Sequence, residues 1–264
     1  LSAAGSKLKL IANYGAGYDH IDIRTALQRG IIVTNTPSVL TTDTADMTMA
    51  LILAIPRKLR EGHEEMQSGN WKGWSPSAMI GMRITGKKLG ILGMGRIGQA
   101  IAKRAIAFDL NINYHNRRRL HENIEKSLSA TYWENLEEML AAVDILVVSA
   151  SLNSSSLYLL NAKCLGKMKH SAYIVNISRG EILDQKALVK QLKNGLLGGA
   201  GLDVYDSEEV IGSDFKSLKN VFLLPHMGSS TLEGRIEMGE KVIINIKTYL
   251  DGHRPPDQIV PSML

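Results

Sequence analysis

Residues 88–102 read Lys88-Leu-Gly-Ile-Leu-Gly93-Met-Gly95-Arg96-Ile97-Gly98-Gln-Ala-Ile-Ala102, an apolar run that breaks into Gly-x-Gly-x-x-Gly and resumes with helical spacing. The pattern predicts strand, tight turn, helix. Gly93 lets the chain turn, Gly95 lets the backbone approach a pyrophosphate, and Gly98 lets the helix lie close to the strand. Arg96 and Ile97 then open a helix whose free N–H groups and positive dipole end suit phosphate. Glycine-rich turns are common, so the reading depends on what surrounds this one.

The surroundings alternate. Downstream, apolar runs at 111–115, 144–149, 172–178, 200–204 and 221–224 are separated by helical patterns at 136–143, 161–168 and 186–194, and a long helix is expected over 231–251. Strand–helix alternation implies a parallel, doubly wound α/β sheet whose ligands sit beyond the carboxyl ends of the strands. The residues just past those ends are Asn116-Arg117, Ser149-Ala150, Ile177-Ser178-Arg179, Asp203 and Pro225-His226. Upstream, a strand over 7–13 runs into Tyr14-Gly15-Ala16-Gly17-Tyr18-Asp19, followed by a short helix at 21–29 and a strand at 31–34. A capped helix is expected from Thr42-Asp43 to about Gln67, kinked or divided at Pro56. Trp71, Trp74 and Met79 follow in a Gly/Pro/Ser-containing arm, which either anchors on its own domain or contacts a second copy in a homodimer. Residues 205–219 read as loop.

Composition narrows the class. At 264 residues, 44% hydrophobic and 22% charged, the chain has the balance of a globular protein. A single cysteine, Cys164, excludes an internal disulfide and fits a reducing, cytoplasmic setting. No Cys/His group has zinc-ligand spacing, no apolar run reaches membrane-spanning length, and no secretion signal opens the chain. The formal charge of +5 is mildly basic, yet no zinc-finger, ribonucleoprotein or aromatic-stacking pattern accompanies it, so neither nucleic acid nor membrane is an expected partner. The basic residues cluster only at Arg117-Arg118-Arg119.

Taken with Leu10-Ile-Ala-Asn-Tyr-Gly-Ala-Gly-Tyr-Asp-His-Ile-Asp22, Val175-Asn-Ile-Ser-Arg-Gly180, Gly201-Leu-Asp-Val204 and Pro225-His226, the glycine stretch makes the chain resemble the D-isomer-specific 2-hydroxyacid dehydrogenases along nearly its whole length, and most of all their glyoxylate/hydroxypyruvate reductase branch. The resemblance implies a Rossmann domain over residues 47–228 and a second, flavodoxin-like substrate lobe over 1–46 and 229–264. That lobe is expected to be N-terminally truncated, because the family has further strands and helices before the position of Lys7.

The resemblance also assigns roles. Arg179 grips the substrate carboxylate and carbonyl, His226 is the acid/base, and Glu208 is its carboxylate partner, favouring the protonated imidazole. A guanidinium fork matches a 2-oxo acid, and hydride transfer leaves charge on the carbonyl oxygen that an imidazolium can neutralise with a proton. Ala16 and Gly17 would offer backbone N–H groups to the substrate; the plainer alternative is an ordinary left-handed turn. Ile177, Ser178 and Gly228 would line the cofactor, and Asp203 would hold the nicotinamide carboxamide unless it simply caps its strand end.

Cofactor choice turns on the end of the second strand, where an acidic residue would bind the ribose hydroxyls of NAD. Here Asn116 stands there, with Arg117 and Arg118 beside it, so NADPH is the expected cofactor and NAD a possible one; the alternative is a solvated arginine run. Three departures from the family concern proline. Glu209 follows Glu208 where proline is usual, Ser149-Ala150-Ser151 lacks one, and Asn153-Ser-Ser-Ser156 replaces Thr-Pro-x-Thr. Each such loss should loosen a loop, mainly through the freedom of the unfolded chain, at about 0.4–1 kcal/mol per site. The expected activity is reduction of a small 2-oxo acid, glyoxylate or hydroxypyruvate, to the D-2-hydroxy acid. The rival is a dinucleotide-binding interaction protein with little or no turnover.

Overall fold

The computed structural model describes residues 1, 5, 7–206 and 213–261. In chain order the elements are β1 (Leu10–Ala12), α1 (Ile23–Gln28), β2 (Ile32–Thr34), α2 (Thr41–Ala54), α3 (Leu59–Gln67), β3 (Lys88–Leu92), α4 (Arg96–Ile106), β4 (Asn111–His115), α5 (Glu122–Ser127) and β5 (Thr131–Tyr132). They continue with α6 (Leu136–Ala142), β6 (Ile145–Val148), α7 (Ala162–Leu165), β7 (Tyr173–Asn176), α8 (Gln185–Lys193), β8 (Gly199–Leu202), α9 (Ser213–Lys216), β9 (Val221–Leu223) and α10 (Leu232–Leu250). The chain divides into two compact units, residues 1–43 with 229–264 and residues 44–228. The division falls at Asp43 rather than at the expected residue 46.

The larger unit carries a seven-stranded sheet in the order β5-β4-β3-β6-β7-β8-β9, and every pairing in it is parallel. Period-2 alternation sends successive side chains to opposite faces. On β6, Leu146 and Val148 pack with Met139, Leu140, Leu165, Leu188 and Leu192, while Ile145 and Val147 pack with Leu51, Ile52, Ile101 and Ala105. Both faces are therefore covered by helices, as a parallel sheet requires. Chain order reverses between β3 and β6, so the loops that leave these two neighbours diverge and open a crevice at their carboxyl ends.

The expected helix from Thr42 to Gln67 is two helices. Pro56 has no N–H to donate, Lys58 adopts a left-handed φ of 54°, and α3 starts afresh at Leu59. The two pieces behave differently. Helix α2 buries Met49, Leu51 and Ile52 in its own unit, whereas α3 buries no residue.

In the smaller unit β1 and β2 pair in parallel, with Leu10 opposite Ile32 and Ala12 opposite Thr34. Ile23, Ala26, Ile31, Val33 and Ile259 form its buried cluster. Asp22 caps α1 by accepting the Thr25 N–H at 3.0 Å, and Thr231 caps α10 by accepting the Gly234 N–H at 2.9 Å. None of the described helices is long and apolar enough to cross a membrane.

Candidate active site

The glycine turn after β3 has the shape its residues require. Gly93 has φ +98°, and a Cβ there would lie 2.5 Å from the backbone nitrogen of Ala150, in the loop that leaves β6. A Cβ at Gly98 would lie 2.4 Å from the Gly93 carbonyl oxygen. Any larger residue would push helix from strand or one crevice wall from the other. A Cβ at Gly95, by contrast, would meet nothing within 4 Å. Gly95 is also the N-cap of α4 and has no side chain to cap it. Open space beside an uncapped helix start is a cradle for a pyrophosphate, so the residues present fit a dinucleotide.

The end of β4 is tied to this turn. Asn116 Oδ1 accepts the Met94 N–H at 2.7 Å, which makes Asn116 a brace of the glycine turn. Arg117 and Arg118 are exposed at the tip that follows. Arg119 is committed elsewhere: its Nε and Nη2 donate to Glu125 at 2.9 and 2.8 Å. The Arg119 guanidinium and the Tyr114 hydroxyl hold the buried Glu125 carboxyl down to about 2. Burial, followed by the bond to Glu125, pushes the Tyr114 hydroxyl up to about 12.

Three neighbouring strand ends carry Arg179, Asp203 and His226. Beyond β7, fully buried Asn176 clamps the turn that presents Arg179, accepting the Ser178 N–H at 3.1 Å and donating to the Arg179 carbonyl at 2.9 Å. Ser178 donates through its hydroxyl to the Ala150 carbonyl, joining the ends of β6 and β7. Arg179 is half-buried and its Nη1 donates to the Ser178 carbonyl at 2.8 Å. Beyond β8, Asp203 is 1% exposed and accepts the Met227 and Gly228 N–H groups, each at 2.7 Å. Asp203 therefore caps the turn beyond β9, where His226 sits exposed at φ +52°. The Tyr205 hydroxyl donates to the Leu224 carbonyl at 2.8 Å and adds a second tie between these strand ends. With only β8 between them, the backbones carrying Arg179 and His226 leave the sheet about two strand spacings, roughly 10 Å, apart. Glu208 lies outside the described residues.

In the smaller unit the Gly15 loop is shaped by amides. Asn13 Nδ2 donates to the Gly15 and Gly17 carbonyls at 3.0 and 2.8 Å, and Asn35 Nδ2 donates to the Ala16 carbonyl at 2.7 Å. Gly15 has no left-handed φ. In a trans peptide the N–H opposes the preceding carbonyl, so the Ala16 and Gly17 N–H groups face away from these amides, a geometry suited to an anion.

In the loop after β6, which lacks proline, side chains hold the turn. Asn153 N–H donates to Ser156 Oγ at 2.8 Å, Ser156 Oγ donates to the Ser151 carbonyl at 2.8 Å, and Ser155 N–H donates to Asn153 Oδ1 at 2.9 Å. Asn13, Asn35, Glu125, Asn176 and Tyr205 all escaped the sequence reading. The available signal was polar residues at the ends of apolar strands, at Asn13, Asn35 and Asn176.

Comparison with known proteins agrees with this architecture. Residues 49–228 match the family model described as the D-isomer specific 2-hydroxyacid dehydrogenase, NAD binding domain. A glyoxylate reductase of Pyrococcus furiosus is 44% identical over 254 residues, covering 95% of this chain and 75% of that protein. One from Thermococcus kodakarensis is 44% identical over 257 residues, covering 96% and 77%. Among solved structures, an NADPH-dependent glyoxylate/hydroxypyruvate reductase from Sinorhizobium meliloti, in complex with NADP and malonate, superposes with a TM-score of 0.91 at 36% identity, covering 98% of this chain and 80% of that one.

Proposed function

The chain belongs to the D-isomer-specific 2-hydroxyacid dehydrogenase family, and from that premise we propose that it reduces a small 2-oxo acid, glyoxylate or hydroxypyruvate first, to the D-2-hydroxy acid with NADPH. The observation that carries the proposal is the row of strand ends: Arg179 after β7, the Asp203 cap after β8 and His226 after β9, on the sheet whose glycine turn is built for a dinucleotide. A nicotinamide dinucleotide held at the glycine turn would supply the hydride that the substrate carbonyl carbon accepts. Arg179 holds the substrate carboxylate and carbonyl through its guanidinium fork. His226, as imidazolium, delivers the proton to the carbonyl oxygen, and the carbonyl becomes a secondary or primary alcohol according to the substrate. Asn176 and Asp203 keep these two groups in place through the backbone turns that bear them.

NADPH is favoured over NADH because an amide, Asn116, replaces the carboxylate that would repel a 2′-phosphate, and Arg117 and Arg118 are exposed beside it. The same reading has a homodimer formed through α3 and the arm after it, where Leu59, Met66, Trp71, Trp74 and Ile80 are exposed, Trp74 by 84%. A second copy is the occupant, and a monomer at micromolar concentration by light scattering would remove this part. Buried Cys164, the only cysteine, suits a reducing cytoplasm.

The test is NADPH oxidation in the presence of glyoxylate, hydroxypyruvate and pyruvate. Substrate-dependent oxidation supports the reductase. Tight NADPH binding without turnover on any of the three would instead favour a dinucleotide-binding interaction protein.

A further inference from the structure

We propose that Glu125 is a positioning residue for dinucleotide choice: it withdraws Arg119 from the basic run and thereby fixes the turn that presents Arg117 and Arg118 to a 2′-phosphate. The inference rests on the NADPH reading above.

The turn that leaves β4 is held at both ends. At its start, Asn116 Oδ1 accepts the Met94 N–H at 2.7 Å, and the Tyr132 hydroxyl donates to the Asn116 carbonyl at 3.4 Å. At its end, Arg119 makes a two-pronged pair with Glu125 while its guanidinium carbon lies 5.5 Å from the centre of the Tyr132 ring. Tyr114 closes the assembly. Its hydroxyl donates to Glu125 Oε1 and accepts the Leu120 N–H at 3.0 Å, and its ring centre lies 5.3 Å from that of Tyr132. One tyrosine thus carries Arg119 on its face and Asn116 on its hydroxyl, so the two ends of the turn share a support.

The asymmetry of the ion pair identifies which partner is structural. The Glu125 side chain is 8% exposed and that of Arg119 63% exposed. The carboxylate is the buried anchor, and the guanidinium is the group it draws in. Neutralised by Glu125, Arg119 adds little net charge toward a phosphate; its contribution is to immobilise the tip where Arg117 and Arg118 stand. A preorganised tip loses less freedom on binding a phosphate than a mobile one. The glycine turn, which serves NADH and NADPH alike, is held by the Asn116 side chain on the Met94 N–H, a bond that involves neither Glu125 nor Arg119.

The experiment measures NADPH and NADH affinities by calorimetry for the parent chain, Glu125→Gln and Arg119→Lys, with 2′,5′-ADP and 5′-AMP as fragment probes and thermal unfolding as the check on folding. Arg119→Lys keeps the charge but loses the fork and the ring contact, and its exposed position makes a folded variant obtainable. Both variants should weaken NADPH and 2′,5′-ADP by roughly tenfold, the loss of about one charge-assisted hydrogen bond, while NADH and 5′-AMP stay within about twofold. Equal weakening of all four ligands, or no weakening, would overturn the positioning role. Loss in Arg119→Lys with full affinity in Glu125→Gln would also overturn it, by placing Arg119 itself on the phosphate. A parent chain that binds NADH as tightly as NADPH overturns the cofactor reading, and this inference with it; a parent preference that survives both variants overturns the inference alone.

Discussion

Asp203 and Gly228 are joined by a 2.7 Å hydrogen bond in which the buried carboxylate accepts the backbone N–H, with the other carboxylate oxygen taking Met227. A Cβ at position 228 would lie 2.9 Å from the same carboxylate oxygen, so the pair fits only with glycine in place. The turn bearing His226 is therefore set by a residue of the neighbouring strand end. Asp203→Asn presents one N–H with an amide donor instead of an acceptor, and should cost about 1–3 kcal/mol of stability. Turnover should fall while NADPH affinity changes less. Denaturant midpoints and steady-state rates check both, and unchanged turnover would show that the turn does not depend on Asp203.

Gly180 follows Arg179 and lies flush against the segment after β8: a Cβ there would sit 1.9 Å from the carbonyl carbon of Tyr205. Gly180→Ala must move backbone, for which about 1–3 kcal/mol is a lower range. The shift acts next to Arg179, so the apparent affinity for the 2-oxo acid should weaken more than that for NADPH. A variant with parental stability and KM would contradict the packing described.

Replacing Asn116 by Asp keeps an acceptor for the Met94 N–H but places a carboxylate at the position proposed for the ribose. Combined with Arg117→Ala and Arg118→Ala, it should shift the ratio of binding constants toward NADH by at least tenfold, about 1.4 kcal/mol. Titration of each nucleotide at low salt measures the ratio, and an unchanged ratio would return the arginines to plain surface charge.

The Glu125 pair makes a pH prediction of definite sign. A carboxyl held at about 2 in the fold, against 4.5 when unperturbed, stabilises the native state fully above the higher value. That stabilisation is lost as pH falls from about 4.5 toward about 2. The Tyr114 hydroxyl, raised from 10.0 to about 12, acts oppositely, so its contribution disappears as pH climbs through that interval. Denaturation midpoints of the parent and Glu125→Gln should differ at neutral pH and converge on acidification. A gap independent of pH would dissociate Glu125 from the titration.

The doubly wound sheet was legible because its evidence is periodic: β3, β6 and β7 are apolar runs, and Gly93, Gly95 and Gly98 fall where a strand gives way to a helix. What escaped was short or long-range. Helix α5 and strand β5 span too few residues for a period to emerge, although His121 caps the helix by accepting the Asn123 N–H. The helix expected over 161–168 shrinks to Ala162–Leu165, started by the Asn161 side chain and stopped at Gly166. At the site, Arg179 and His226 could be placed from their positions after strands. The sequestration of Arg119 could not, because its partner Glu125 and the supporting Tyr114 and Tyr132 become neighbours only when β4, α5 and β5 are assembled.

The central claim is that His226 serves the chemistry and the glycine turn serves the cofactor, on separate strand ends of one sheet. The most direct test pairs two readings on the chain and its His226→Gln variant: NADPH affinity, and NADPH oxidation with glyoxylate or hydroxypyruvate. Affinity should stay within about twofold and oxidation should fall by at least 10²-fold, the range for loss of a general acid. A variant that oxidises NADPH at the parental rate would contradict it.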